Sequence, residues 1–417
     1  MSDMLRKIMG LPVLLLLSSV PAWCGMVDKI VVFKEPVAFG RIHSSITRGG
    51  GEITKELDII NAVVARFPSE ESAALALSRM PGVELVENDD YLYRLFADDE
   101  MPGLPSLENF IIKADEVVVK FSTSRPVKQP VSTQKLPWDI RRMGARAAWQ
   151  QVTGRGVKVC VLDTGIDTDH PDLLPNYAAG SNFVNPGTPP EDDKGHGTHV
   201  SGTIAAADNR FGLIGMAPDA SLYEAKVLDS SGSGKTSWLI DGLAWCKMNG
   251  ASVANMSLGN TQVSEALHKA IQAVYDGGMT LVASSGNDPK APVHYPAAYP
   301  EVIAVSASAP GISDSSGTII TPESLAAFSS IGPEVDMIAP GQRIYSTARG
   351  GAYIMMSGTS MAAPHVAGAA ALAVSLGYVT PVEIRRALEL AAVKLPGLTE
   401  EQQGFGMINA GNIPIKR

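Results

Sequence analysis

From Gly156 onward the chain repeats one pattern, a short apolar run followed by a stretch with helical spacing. The runs VKVCVL, SLYEAKVL, ASVANMS, MTLVAS and VIAVS alternate with segments such as TSWLIDGLAWCKM and QVSEALHKAIQAVY. Runs that are apolar throughout, rather than at every second residue, suit strands covered on both faces. Their alternation with helices predicts an α/β fold, a mostly parallel sheet with helices on both faces. In open sheets of this kind functional groups collect at the carboxyl ends of the strands. The last helix is marked by a capping box, Thr380 with Glu383, and by Pro381 at its first position. No internal repeat is present.

The N-terminal third reads differently. Residues 1–25 place Arg6 and Lys7 ahead of an apolar run that breaks at Pro21, as a secretory signal peptide does. Leu11–Val20 falls well short of the ~20 apolar residues needed to span a bilayer, and Trp23 beside Cys24 argues against lipidation. The expected product is secreted, extracellular or periplasmic, with no membrane contact after signal removal. Residues 26–96 read as a small α+β unit. KIVVFK (29–34) is a strand, residues 51–67 contain another, SEESAALALSRM (69–80) is a capped amphipathic helix, and VELVENDDYLYRLF (83–96) is a final strand. Residues 97–132 read as a proline-bearing linker around one strand-like piece, DEVVVKF. The remainder, 133–417, is the main domain.

A chain of 417 residues with 45% hydrophobic content has enough material for a large core. A net charge of −9 without a basic stripe excludes nucleic acid as the expected partner. Once the signal is removed only Cys160 and Cys246 remain, one in a predicted strand and one in a predicted helix. They make no disulfide framework. Separate buried thiols are favoured here over a single bridge.

VLDTGID sets Asp163 directly after an apolar strand, where a carboxylate is costly to bury without a partner. GHGTHVSGT places His196 at the entry to a small-residue helix, and GTSMAAPHVAG places Ser360 in a like position, where it also suits a helix N-cap. A serine hydroxyl is a weak nucleophile. It needs an imidazole to take its proton, and a carboxylate to fix that imidazole's tautomer and stabilise its charge. At a helix N-terminus the backbone N–H of Ser360 also faces a developing oxyanion.

VLDTGID, GHGTHVSGT, NMSLG, SSGND and SGTSMAAPHVAG, in that order, closely resemble the subtilisin-like serine proteases, over residues 134–408. The resemblance implies that Asp163 orients, His196 is general base and acid, Ser360 attacks and Asn287 donates to the oxyanion, with His199 structural. It implies that Ser257, Leu258 and Gly259, with Gly232, Ser233 and Gly234, sandwich an extended protein or peptide substrate. His294 stands where the family often has glycine at the floor of the pocket for the residue before the scissile bond, which implies a shallower or more polar pocket. Gln134, Asp172 and Asn209 match the side-chain ligands of a tight Ca²⁺ site, and Ala207, Phe211 and Leu213 match its carbonyl donors. The N-terminal unit resembles the family's ferredoxin-like inhibitory propeptide, an intramolecular partner removed by the enzyme itself, although the segment before GGGEITK looks short on helix. Cleavage is expected near Phe96 or near Ser132. Residues 312–326 are an insertion relative to the family and read as a surface loop. The expected product is a monomeric serine endopeptidase that works through an acyl-enzyme.

Other hydrolase chemistries lack parts. One DTG triplet supplies one of the two carboxylates of an aspartic protease, and GHGTH lacks the glutamate of a zinc helix. Ala362 breaks the Gly-x-Ser-x-Gly pattern of an α/β-hydrolase. A rival of another class is a catalytically silent binding protein on the same scaffold. Reaction of Ser360 with a fluorophosphonate separates it from an enzyme.

Overall fold

The computed structural model describes residues 26–35, 39–78, 80–94, 133–289, 291–313 and 319–416. The proposed signal peptide with Cys24, and residues 97–132 with their strand-like DEVVVKF, lie outside the described residues. The chain divides into two units. One is formed by residues up to 56 with 63–88, the other by 57–62 with 89–417.

The first unit runs β1 (Val27–Phe33), α1 (Phe39–Arg48), β2 (Glu52–Leu57), β3 (Ala62–Phe67), α2 (Glu70–Leu77) and β4 (Val83–Asn88). Its sheet has the order β2-β3-β1-β4. Val31, Phe33, Ile42, Ile46, Val63, Phe67 and Leu77 form its core. The N-terminus of α2 is closed by a capping box between Ser69 and Ser72. Three details differ from the sequence reading. Residues 51–67 make two strands rather than one. The segment before Gly49 is a helix, α1, although its serines and threonine are indifferent helix formers; Ile42 and Ile46, one turn apart, anchor it in the core. Residues 83–96 do not form one strand, because β4 ends at Asn88 and β5 (Tyr91–Arg94) belongs to the second unit.

The second unit continues with α3 (Trp138–Arg142), α4 (Ala145–Ala148), β6 (Lys158–Asp163), β7 (Tyr177–Asn182), α5 (His196–Ala205), β8 (Ser221–Lys226), β9 (Ser233–Lys235) and α6 (Thr236–Met248). Then come β10 (Val253–Met256), β11 (Leu258–Gly259), α7 (Glu265–Asp276), β12 (Thr280–Ser284), β13 (Val302–Ala309), β14 (Ile312–Ser313), β15 (Ile319–Thr321), β16 (Ser324–Leu325) and β17 (Val335–Pro340). It ends with β18 (Ile344–Ala348), β19 (Ala352–Met356), α8 (Thr359–Ser375), α9 (Pro381–Ala391), β20 (Ala392–Val393), α10 (Glu400–Gln403) and β21 (Met407–Ile408).

The central sheet has the order β20-β21-β17-β13-β12-β10-β6-β8-β7, with β16 added on β13. All pairings from β7 to β21 are parallel, while β16 and β20 join antiparallel. The insertion at 312–326 is therefore not a plain loop, since β14 and β15 pair as antiparallel strands and β16 extends the sheet. Among the described residues no helix is long and apolar enough to cross a membrane.

Alternation along β6 separates the two faces. Val159 and Val161 share a core with Val200 and Ile204 of α5 and with Val366 and Ala370 of α8. Cys160, between them, faces the opposite way and is bonded to Cys246 of α6. The expectation of separate thiols is thus corrected: the crossover lays α6 over β6 with the two Cα atoms 5.9 Å apart, within disulfide range. A bridge across 86 residues of chain contributes about 4 to 5 kcal/mol in the chain-entropy treatment.

One buried acid stands out near the carboxyl end of β8. Glu224 of β8 is fully buried, and its Oε2 lies 3.4 Å from the Ser201 hydroxyl of α5, while Oε1 has no partner among the described residues. Burial, then the nearby carboxylates of Asp163 and Asp192, push its pKa well above the usual carboxylate range. Unfolded, this group releases its proton near pH 4.5, whereas the folded protein keeps it. Each pH unit between 4.5 and the folded value therefore weakens the fold by about 1.4 kcal/mol. Glu224→Gln, which cannot ionise, is expected to be the more stable form, by a margin that widens as pH rises above that of unfolded glutamate. Melting temperatures of both proteins measured from acid to neutral pH check this; a margin independent of pH contradicts it.

Candidate active site

Asp163 is the last residue of β6 and is completely buried. Its Oδ1 accepts from the Thr164 N–H and lies 2.7 Å from Nδ1 of His196, the first residue of α5. The imidazole is itself 2% exposed, so the pair is shielded from water. Close approach depends on Gly197: a Cβ there would lie 2.1 Å from the Gly165 carbonyl oxygen and 3.1 Å from the Asp163 Cβ.

Two positioning residues escaped the sequence reading. Asp192 accepts from the N–H groups of Lys194, Gly195 and Thr198 and from the hydroxyls of Thr164 and Thr198. It thereby closes the N-terminus of α5 and ties it to the residue after Asp163. Thr164 completes the link by accepting from Gly197 N–H at 2.9 Å. The signal was there in the acidic run EDD just ahead of GHGTH, the place where helix N-caps occur. His199, the second histidine of that helix, is fully buried with Nε2 3.0 Å from the Ile344 carbonyl. Burial pushes its pKa down to about 3, as suits a neutral structural group.

Ser360 lies on α8, which packs against α5. The helix is entered through Gly358 and begins at Thr359 with no side-chain cap, so Ser360 is its second residue and not its N-cap, contrary to the capping reading. Its hydroxyl donates to the Ser257 carbonyl at 2.9 Å, and the Ser257 hydroxyl donates to the Ser360 carbonyl at 2.8 Å. Asn287 stands across from Thr359, whose N–H and hydroxyl both donate to its Oδ1 at 2.9 Å. That fixes the amide and leaves Nδ2, a buried donor with no partner among the described residues.

The two predicted substrate segments carry a strand between them. β5 pairs antiparallel with β9, Leu92 opposite Gly234 and Tyr93 opposite Ser233. On its other side it pairs with β11, Tyr93 opposite Gly259 and Arg94 opposite Leu258. Leu92 is buried, whereas Tyr91 and Tyr93 are exposed. Gly232 sits in the turn before β9, its N–H donating to Asp229. Asp89, just upstream of β5, accepts from the Ser237 N–H and hydroxyl, and Asp90 from the Thr236 N–H, at the start of α6. His294 lies beside Gly286, with its N–H donating to the Ser285 carbonyl.

The six residues expected to bind calcium also come together. Gln134 Nε2 donates to the carbonyls of Ala207 and Leu213 at 2.7 and 3.0 Å, and Asn209 Nδ2 donates to Asp172 Oδ1 at 3.0 Å. Phe211 N–H donates to Asn209 Oδ1, and Asp172 Oδ2 accepts from Leu213 N–H and the Tyr353 hydroxyl. Among the described residues no cluster of three or more His, Cys, Asp or Glu forms a metal site. This set is of another kind, with one carboxylate and otherwise amide and carbonyl oxygens, the hard neutral donors that calcium takes. Turning the two terminal amides, which interchanges N and O, gives the donor oxygens of such a shell.

Comparison with known proteins agrees with this geometry. The profile of the "Subtilase family" matches residues 154–407. Subtilisin NAT of Bacillus subtilis subsp. natto is 38% identical over 371 residues, 87% of this chain and 83% of that protein. Subtilisin Savinase of Lederbergia lenta is 45% identical over 280 residues, 66% of this chain and 98% of that protein. An alkaline protease of Alkalihalobacillus alcalophilus is 45% identical over 280 residues, 66% of this chain and 69% of that protein. With a parallel sheet, a buried Asp–His pair at its carboxyl end and a serine on the neighbouring helix, the chain belongs to the subtilase family of serine endopeptidases.

Proposed function

We propose that this chain is a secreted endopeptidase, made as a self-processing zymogen, in which Asp163, His196, Ser360 and Asn287 carry out acyl transfer. The Ser360 hydroxyl adds to the carbonyl carbon of the scissile bond and passes its proton to His196 Nε2. Asp163 holds the other ring nitrogen, selects the tautomer and stabilises the imidazolium. The oxyanion accepts hydrogen bonds from Asn287 Nδ2 and from the Ser360 N–H at the start of α8, where the helix dipole also favours negative charge. His196 then returns the proton to the leaving amine, and water releases the acyl group by the reverse sequence. The observation that carries this reading is the buried 2.7 Å bond from His196 Nδ1 to Asp163 at a strand end.

Substrate backbone would add as a strand between β9 and β11, giving affinity with little demand on sequence. β5 supports this, since it makes such a strand from the chain itself, as an inhibitory segment would. One residue beyond Arg94 in the antiparallel register comes Ser257, whose carbonyl accepts from Ser360. The register therefore favours self-cleavage of the Leu95–Phe96 bond over a cut near Ser132. N-terminal sequencing of the secreted product is expected to begin at Phe96; a start near residue 133 contradicts the assignment.

Calcium, held by Gln134, Asp172, Asn209 and the carbonyls of Ala207, Phe211 and Leu213, would clamp the loop after α5 to the start of the main domain. Its contribution would be to stability and not to chemistry. Chelation is expected to lower the melting temperature, removing on the order of 3 kcal/mol of stability when calcium had stood at a hundred times its Kd. Asp172→Ala is expected to abolish that response, and a wild-type protein indifferent to chelator contradicts the site.

A fluorophosphonate is expected to label wild-type protein at Ser360 and to leave Ser360→Ala unlabelled. Asn287→Ala is expected to lose about 10²–10³ in kcat with little change in KM, the scale measured for the equivalent donor in subtilisin. Failure of the wild type to label contradicts the mechanism.

A further inference from the structure

The helix that follows β9 has no cap of its own. α6 is 13 residues long, and its N-cap position is held by Lys235, whose side chain accepts nothing from the helix. The first N–H groups of a helix stand open unless something outside it accepts from them. Here the segment that leads into β5 does so. Asp89 Oδ1 accepts from the Ser237 N–H at 2.8 Å and Oδ2 from the Ser237 hydroxyl at 2.7 Å, with Lys235 Nζ 3.9 Å from Oδ2. The Asp90 carbonyl accepts from the Thr236 N–H and hydroxyl at 2.8 and 3.0 Å. The Asp89 side chain is 1% exposed, so the start of α6 is a seat already holding a desolvated carboxylate.

The backbone part of this seat makes no demand on sequence, since every residue has a carbonyl to offer Thr236. The side-chain part does. A carboxylate matches an N–H, a hydroxyl and an ammonium together, at the positive end of a helix dipole. A carboxamide gives the N–H one acceptor oxygen but carries no charge for the ammonium, an alkyl side chain supplies nothing, and a lysine meets Lys235 with a like charge. Asp89 stands six residues before Leu95, just ahead of the strand that β9 and β11 enclose. Resting on the reading of β5 as a substrate-like strand that leaves on maturation, we propose that the start of α6, with Lys235 and Ser237, is a subsite of the mature enzyme for an aspartate six residues before the one after which the peptide is cut. Departure of Asp89 leaves donors that an acidic substrate satisfies again. The chain's net charge of −9 opposes acidic peptides in general, so a gain from aspartate is local to this seat.

The test uses the mature enzyme and acetylated, quenched peptides X-Asn-Tyr-Leu-Tyr-Arg-Leu-Phe-Ala, with X as Asp, Asn, Ala or Lys and the cut bond read from product masses. Asp is expected to exceed Ala in kcat/KM by roughly tenfold and Asn by roughly threefold, with Lys the poorest, and the gain is expected to shrink as salt rises. Exchanging the first two residues, which moves the acid one place nearer the cut, is expected to abolish the gain. Lys235→Gln is expected to bring Asp down to the level of Asn, and Ser237→Ala to bring both towards Ala. The wild-type ratios decide the matter even if a variant fails to fold. Asp cut no faster than Ala, by an enzyme that labels at Ser360 and cuts after Leu, overturns the proposal and leaves the protease reading standing. Absence of cleavage, or a cut at another bond, overturns the reading of β5 and the proposal together.

Discussion

A carboxylate at the end of a buried strand cannot stand alone, and the organisation of the second unit follows from how Asp163 is satisfied. Full burial makes the charge expensive. The protein answers with two hydrogen bonds to the same oxygen, one from Thr164 N–H and one from His196. To deliver the imidazole there, α5 must start against the end of β6, which requires Gly197 at the contact and Asp192 to gather the free N–H groups of the helix start. α8, packed on α5, then brings Ser360 to the same end of the sheet. The N-terminus of α5 is thus positioned by polar groups packed around the Asp163–His196 pair.

The same economy governs the groups around Ser360. Thr359 commits Asn287 Oδ1, so the amide is oriented before any substrate arrives. Ser257 and Ser360 exchange hydroxyl-to-carbonyl bonds, which fixes β11 beside α8. β5, paired along β11, is thereby held in register with Ser360 by backbone hydrogen bonds.

Much of this was legible in the residues. Asp163 ends an apolar run, His196 and Ser360 begin small-residue helices, and the parallel sheet follows from the alternation of runs. What stayed hidden depends on contacts between distant segments. The α1 helix has weak propensity and is held by Ile42 and Ile46 in a core no local pattern reveals. The break between β4 and β5 was invisible because both strands keep alternating through Asp89 and Asp90, whose partners Ser237 and Thr236 lie far along the chain. Pairing of Cys160 with Cys246 depends on which helix crosses which face of the sheet. Glu224 reads as a polar interruption of a strand, and only the packed structure shows it lodged among other carboxylates.

Asp89 and Asp90 occupy the free N–H groups at the start of α6, and Cys246 near the other end of that helix is covalently joined to the strand that carries Asp163. These two attachments differ in lifetime. If the segment ending in β5 departs on maturation, the helix start passes to solvent while the sulfur bridge remains. What the departing segment had held in place during assembly is then retained by a bond that only an oxidising compartment supplies.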